Sequence, residues 1–435
     1  MTEHPLIDPG QDPSGEPRIV SRDGHRISRS QIDEDVLKIL YRLHRNGHLA
    51  YLVGGSVRDL LLGRTPKDFD IGTDATPTQI KRLFRNCFLV GRRFRLAHIR
   101  FQGNKVVEVA TFRRSPNPDE LPDDLDAHSH FVENVFGSPR QDAFRRDFTV
   151  NALFYDIATF SVIDHVGGLE DLEERRLRVI GDPAVRFRED PVRMLRALEL
   201  AARLDFRLDA ELLDGLRQCG PLIAEASAAR LRDEIMELFR HRVAARVFRQ
   251  AAEFGLLTPL LGGYGGDGES FDLLDRLDER TASERPVTEA LAIAALFLGP
   301  FLKRCPPRRE TPVAEALREA NELLGPHCRH FSIAQGIRQQ ARELLAACFR
   351  LGRGTGLRGE GRFLRHPVTP SALELLSLWA EGHPELAELV QRWARLLSGG
   401  LAGPAPESGK APRRRSRRPR SRRRRTAGPP ETKEP

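Results

Sequence analysis

The stretch "YLVGGSVRDLLLGRTPKDFDIGT", residues 51–73, limits the possible folds most severely. The apolar run "LAYLV" reads as a short strand and ends in Gly54-Gly55, which turn the chain. Ser56 and Asp59 then read as the cap of a fresh helix, and "DFDIGT" as a returning strand. Thirteen residues separate Gly55 from Asp68, room for one short helix and the return. The glycine turn and the two aspartates therefore end up side by side.

Asp68 and Asp70 alternate with Phe69 and Ile71. With the apolar pair packed inward, period two places both carboxylates on the opposite face. Carboxylates held that close repel, and one tends to take up a proton. A divalent cation removes the conflict, and hard oxygen ligands suit Mg²⁺. The plainer alternative is a solvated strand edge leading to a helix cap at Thr76-Pro77. Two neighbouring features favour the cation. Gly54 and Gly55 let backbone N–H groups approach an anion at a helix start, where Arg58 adds positive charge. In "KVVEVATFRR", Glu108 sits between Val107 and Val109, where a purely structural strand prefers another apolar residue. If that strand pairs beside the DFD strand, Glu108 joins the aspartates. Three carboxylates beside an anion site suit two-metal phosphoryl-type transfer.

Elsewhere the patterning is coarser. Ser30 and Asp33 read as a capping box before a helix carrying Val36, Ile39, Leu40 and Leu43, which stops at Gly47. A second helix is expected from Thr76 or Pro77 to about Asn86. "AHIRF" and "KVVEVATF" flank Gly103-Asn104 as a hairpin. Beyond Gly181 strand signals fade, and the chain reads as helical to about residue 398. The glycine-rich "GGYGGDG", residues 262–268, follows a helical stretch instead of a strand, so it reads as a flexible link and not a phosphate cradle.

Charge adds a boundary. Residues 401–435 carry two lysines and ten arginines against three glutamates, a net +9, so residues 1–400 sum to −1. "RRRSRRPRSRRRR" has no apolar periodicity and is expected to be disordered, either a solubilising end or an arm for nucleic-acid phosphates. The five cysteines are scattered, with no CxxC or Cys/His cluster, which argues against a disulfide framework or a zinc site and favours a reducing compartment. The first residues lack the apolar run of a signal peptide, and no later run approaches ~18 apolar residues, so a cytoplasmic, membrane-free protein is expected.

In order along the chain, "YLVGGSVRDLLLGRTPKDFDIGT", "EVATFRR", "RRDFTVNALFYD" and "VIDHVGGLEDLEERRLRVIGDPAVRFREDPVRMLRALELAARLDF" resemble the class II template-independent nucleotidyltransferases, which comprise bacterial poly(A) polymerases and tRNA CCA-adding enzymes. The resemblance is close over residues 28–206 and weaker to about 390. It implies an α+β fold: a nucleotidyltransferase head with a small mixed sheet at 28–182, a helical neck at 183–265 and a helical body at 266–400. These lie between a disordered segment, 1–27, and the disordered tail, 401–435.

The resemblance also implies roles. Asp68 and Asp70 match the metal-binding pair, with Glu108 as the third catalytic carboxylate. Gly54, Gly55 and Arg58 match the triphosphate segment, and Arg146 and Asp147 the motif against the ribose. Asp190 and Arg193 match the "EDxxR" motif facing the base; their i, i+3 spacing would put both on one helix face, as it would for a plain ion pair. Mg²⁺, ATP and RNA 3′ ends follow as cofactor and partners, with RNA-degradation machinery beyond them, and neither a membrane nor DNA. The basic "LFRNCFLVGRRFRLAHIRF", the long stretch before "RRDFT" and the arginine tail resemble the poly(A) polymerase branch. CCA addition to tRNA remains the alternative, and a non-catalytic RNA-binding adaptor a more distant one.

Overall fold

A computed structural model of the chain describes residues 15–91, 96–115, 135–281 and 285–400. The tail 401–435, part of the basic segment and most of the long stretch before "RRDFT" lie outside the described residues.

Eight strands form one mixed sheet: β1 (Arg18–Val20), β2 (Ala50–Val53), β3 (Asp70–Thr73), β4 (Cys87–Val90), β5 (Leu96–Arg100), β6 (Val106–Thr111), β7 (Leu153–Asp156) and β8 (Val162–Asp164). Their spatial order is β1-β8-β7-β2-β3-β6-β5-β4. Within this sheet, among the described residues, only β3 and β6 pair in parallel; every other neighbour is antiparallel. Period-two alternation divides the side chains between two faces. Leu52, Ile71, Val109, Ala97 and Ile99 face one core, against Ile39, Leu40 and Leu43 of helix α1 (Glu34–Arg45). Tyr51, Val53 and Phe154 face a smaller second cluster with Phe112, Ala143 and Ile180. Gly72 lies on that second face, where a Cβ would collide with the Phe112 ring and Val53. Asp70, two residues earlier, shares this face.

Past residue 182 the described chain is almost wholly helical, apart from the two-residue strand Arg207–Leu208 paired with Arg176–Leu177. Buried residues from helices up to Trp393 continue the larger core, so the helical part is apolar-packed throughout.

Several local expectations need correction. The capping box is formed by Ser28 and Gln31 on a single 3₁₀ turn, where Gln at the third position supplies the reciprocal bond. Asp33 caps α1 alone, through the N–H groups of Asp35 and Val36. Helix α2 (Gly55–Leu61) starts at Gly55, and its N-cap Gly54 takes a backbone conformation (φ 74°, ψ −139°) that favours glycine. Ser56 caps nothing; its hydroxyl donates to the Val53 carbonyl. Helix α3 (Pro77–Leu83), capped by a Thr76/Gln79 box, stops before Asn86 because the chain turns into β4 at Cys87. The expected disordered start, 1–27, is wrong for Arg18–Val20, which pair with β8 and complete the sheet edge. The "GGYGGDG" stretch is a packed turn instead of a loose link: Tyr264 packs its ring 4.7 Å from Phe297, and its hydroxyl reaches Ser270.

Candidate active site

The carboxylates are gathered by ladder register. Asp70 opens β3 opposite Val53 on one side and Glu108 on the other, so the adjacency of Asp70 and Glu108 is set by the parallel pairing. Side chains directly opposite on a ladder share a face. Asp68 lies before the strand and not within it, in an exposed segment that brings its charge near Asp70. Asp70 keeps an exposed edge, yet its pKa is pushed up to about 6. Burial is the largest cause, Glu108 repulsion follows, Arg146 opposes, and Asp68 adds a smaller push. Glu108 in turn stands 3.4 Å from His98 Nε2 on β5.

A cleft of about 650 Å³ opens beside this strand end, between the sheet region and the helix Val192–Leu204 with its neighbours. Gly54, Gly55, Arg58, Asp68, Asp70, Arg146, Asp147, Asp190 and Arg193 all line it. Glu108 does not; it sits one strand farther along the same sheet face.

Asn151, which sequence reasoning missed, ties three expected site residues together. Arg58 Nη1 donates to its side-chain oxygen at 2.5 Å, and its amide nitrogen donates to Asp147 Oδ1 at 3.3 Å. Its backbone carbonyl accepts from Arg146 Nη1 at 3.2 Å. The signal was a polar residue between Val150 and Ala152, both fully buried. Arg58 is itself only 3 % exposed, with Nε and Nη2 on Asp59, so it braces the glycine turn more than it offers a free charge. Lys67 forms no ion pair among the described residues and lines the same cleft. Asp147 is held by Arg196 at 2.7 Å and by the Phe148 N–H at 2.8 Å. Burial raises its pKa, but Arg196, the Phe148 N–H and the Asn151 amide outweigh that and hold it below the usual carboxylate range.

The supposed shared helix face of Asp190 and Arg193 is not present. Asp190 sits at the junction before the helix Val192–Leu204 in an extended conformation, because Pro191 disfavours helical backbone in the residue preceding it. Nor do the two pair with each other. Arg230 grips Asp190 through both oxygens at 2.9 and 2.7 Å. Arg193 Nη1 donates to Glu189 Oε2 and the Arg186 carbonyl, each at 3.0 Å. Both side chains are thereby held at the cleft wall. The cleft is also lined by Glu199, which falls within the quoted stretch ending at Phe206 but was given no role there, and by Glu234, Glu237 and His241, which no motif announced.

No three His, Cys, Asp or Glu side chains among the described residues stand as a finished metal cluster. The donor set nevertheless fits a hard divalent cation. Asp70 and Glu108 are like charges in ladder register with Asp68 close by; burial first and then Glu108 and Asp68 disfavour the charged form of Asp70, and a cation would offset both.

Three family models match the chain. Residues 50–178 match the "Poly A polymerase head domain", 205–263 the "Probable RNA and SrmB- binding site of polymerase A", and 309–427 the "Polymerase A arginine-rich C-terminus". The chain is 39% identical over 432 residues to Poly(A) polymerase I of Salmonella typhi, covering 93% of this chain and 92% of that one. A CCA-adding enzyme of Bacillus pumilus is 37% identical over 226 residues, 52% of this chain and 54% of that one. Among solved structures, the Bacillus stearothermophilus CCA-adding enzyme in complex with CTP matches with a TM-score of 0.63 at 26% identity, covering 86% of this chain and 83% of that one.

Proposed function

The chain belongs to the poly(A) polymerase family, and from that premise we propose how its own residues carry template-independent addition of AMP to RNA 3′ ends. It is a polynucleotide adenylyltransferase, and the observation that carries this is similarity to Poly(A) polymerase I along 93% of the chain, against 52% for the CCA-adding relative. We take ATP as the donor and a single-stranded RNA end as the acceptor. In the reaction the RNA 3′ oxygen bonds to the α-phosphorus, its proton is lost, and the bond to the bridging oxygen breaks to release pyrophosphate.

Asp68 and Asp70, with Glu108 as the third carboxylate, would hold a pair of divalent cations, for which we propose Mg²⁺; when bound, these would neutralise charge at the attacking hydroxyl and the triphosphate. The Gly54-Gly55 turn leaves room for phosphates beside these carboxylates, with Arg58 bracing it and Lys67 supplying an exposed charge. Arg146 and Asp147, linked through Asn151, form the ribose wall. Asp190 and Arg193 offer an acceptor and a donor fork to the base edge, each fixed in advance by its partners. Pre-orientation matters because a hydrogen-bonding site rejects a wrong base by leaving buried groups unpaired. We assign 28–182 as the head, 183–265 as the neck, 266–400 as an RNA-contacting body and 401–435 as a phosphate-binding tail. We place the activity in the cytoplasm, in RNA processing and turnover; no described helix is long and apolar enough to cross a membrane.

The test is to incubate the full chain with an unstructured RNA and with a tRNA lacking its CCA end. Each nucleotide is supplied singly, then ATP with CTP. Long tails from ATP alone on both RNAs are expected; addition that stops after C, C and A on the tRNA would favour the alternative.

A further inference from the structure

The sheet face that carries Asp70 and Glu108 continues outward across two more strands. Glu108 is in register with His98 on β5, and His98 with Phe88 on the edge strand β4. Phe88, His98, Glu108 and Asp70 therefore form one cross-strand row with their side chains on one side of the sheet. At ~4.8 Å per strand the row places Phe88 about 14 Å from Asp70. Tyr51, Val53 and Phe154 on the inner strands of this face are buried, whereas on its outer strands three large apolar side chains are exposed, Phe88 by 50%, Val90 by 42% and Val106 by 41%. The opposite side chains of the same strands, Cys87, Ala97, Ile99 and Val107, are buried in the main core. Alternation alone would put polar residues at the outward positions. The Arg100 guanidinium lies 4.7 Å from the centroid of the Phe88 ring.

We propose that this row is the track for the 3′-terminal nucleotides of a single-stranded RNA primer, with one base stacked on Phe88. The inference rests on the functional reading above and extends it to the acceptor strand. Three features select RNA as the occupant. The face is continuous with the carboxylates at which a 3′ hydroxyl must arrive. Arg100 joins a cation to an exposed aromatic ring, a combination that suits bases and phosphates together. Stacking is also indifferent to base identity, as extension of arbitrary 3′ ends requires. At ~3.4 Å per stacked nucleotide the 14 Å span corresponds to about four nucleotides.

The experiment uses the full chain with ATP and oligoadenylate primers of two to ten nucleotides. Phe88→Ala should raise the KM for primers longer than about four nucleotides by ~10-fold, within the range seen for loss of one stacked base. Turnover at saturating primer and the KM for ATP should not change, and two- or three-nucleotide primers should show no difference. Phe88→Trp should restore the primer KM. Its fluorescence should be quenched by a ten-nucleotide oligoadenylate, because Trp379 and Trp393 are both buried. An unchanged primer KM at every length, or no quench, overturns the proposal and leaves the face to another role such as a protein partner. The quench requires no turnover, so failure of the functional reading would show separately, as a wild-type chain that adds no AMP.

Discussion

Replacing Asn151 by alanine perturbs the cleft at the point where its walls are joined. Arg58 loses the 2.5 Å bond from Nη1 and, at 3 % exposure, has little water to replace it. Asp147 loses a 3.3 Å donor but keeps Arg196 and the Phe148 N–H, so the larger loss falls on the arginine. A hydrogen bond to a charged group contributes ~1.5–3 kcal/mol, and an orphaned buried donor costs a similar amount. Should all of this be expressed in the transition state, kcat/KM for ATP falls ~10- to 100-fold. The assay is steady-state AMP incorporation at saturating RNA, paired with thermal unfolding of the same preparation. A lowered melting temperature with unchanged kcat/KM would mean that Asn151 supports the fold without positioning nucleotide groups. No change in either would refute the reasoning outright.

Other outcomes follow from neighbouring contacts. Glu108→Ala should reduce turnover by at least ~100-fold with the RNA affinity retained; near-normal single-turnover rates would show that it is not the third carboxylate. Arg230→Ala frees both oxygens of Asp190, and should narrow the preference for ATP over other nucleotides; unchanged selectivity in competition assays would contradict the base-wall assignment. Burial, the largest cause, pushes the Asp278 pKa up to about 7, although its carboxylate accepts the Ala245 N–H. The folded state thus binds that proton more tightly than the unfolded chain, so the contribution to stability is complete below pH ~4 and is lost as pH rises toward 7. Asp278→Asn should flatten the melting temperature across that window, and an unaltered profile would exclude the assignment. Deleting residues 401–435, with their net +9, should reduce the log K against log salt slope for RNA by roughly 3 to 4 if the tail meets ~4 to 6 phosphates. Equal slopes would leave it a solubilising end.

What could be read from the sequence was whatever depends on local periodicity. Alternation around Ile71 and Val109 told which way Asp70 and Glu108 point, and the parallel β3–β6 pairing then put them in register. The glycine turn was legible because few residues other than glycine tolerate the Gly54 backbone. Features that join distant segments were not legible. Asn151 meets Arg58 from 93 positions away, and a lone polar residue in an apolar run does not name its partner. Asp190 was misplaced because i, i+3 spacing presumes an unbroken helix, while Pro191 starts a new one. Residues 18–20 were assigned to disorder because a three-residue edge strand carries too little pattern to stand out, although β8 gives it a partner.

The central claim is that transfer depends on the aspartates before and at the start of β3. Its most direct measurement is single-turnover AMP incorporation by Asp68→Ala and Asp70→Ala, with RNA affinity and thermal unfolding determined on the same samples. Incorporation should fall by at least ~1,000-fold while the RNA dissociation constant and melting temperature stay near wild type, because ligands to a cation act chiefly as charge develops in the transition state. Incorporation within ~10-fold of wild type in either variant would contradict the account.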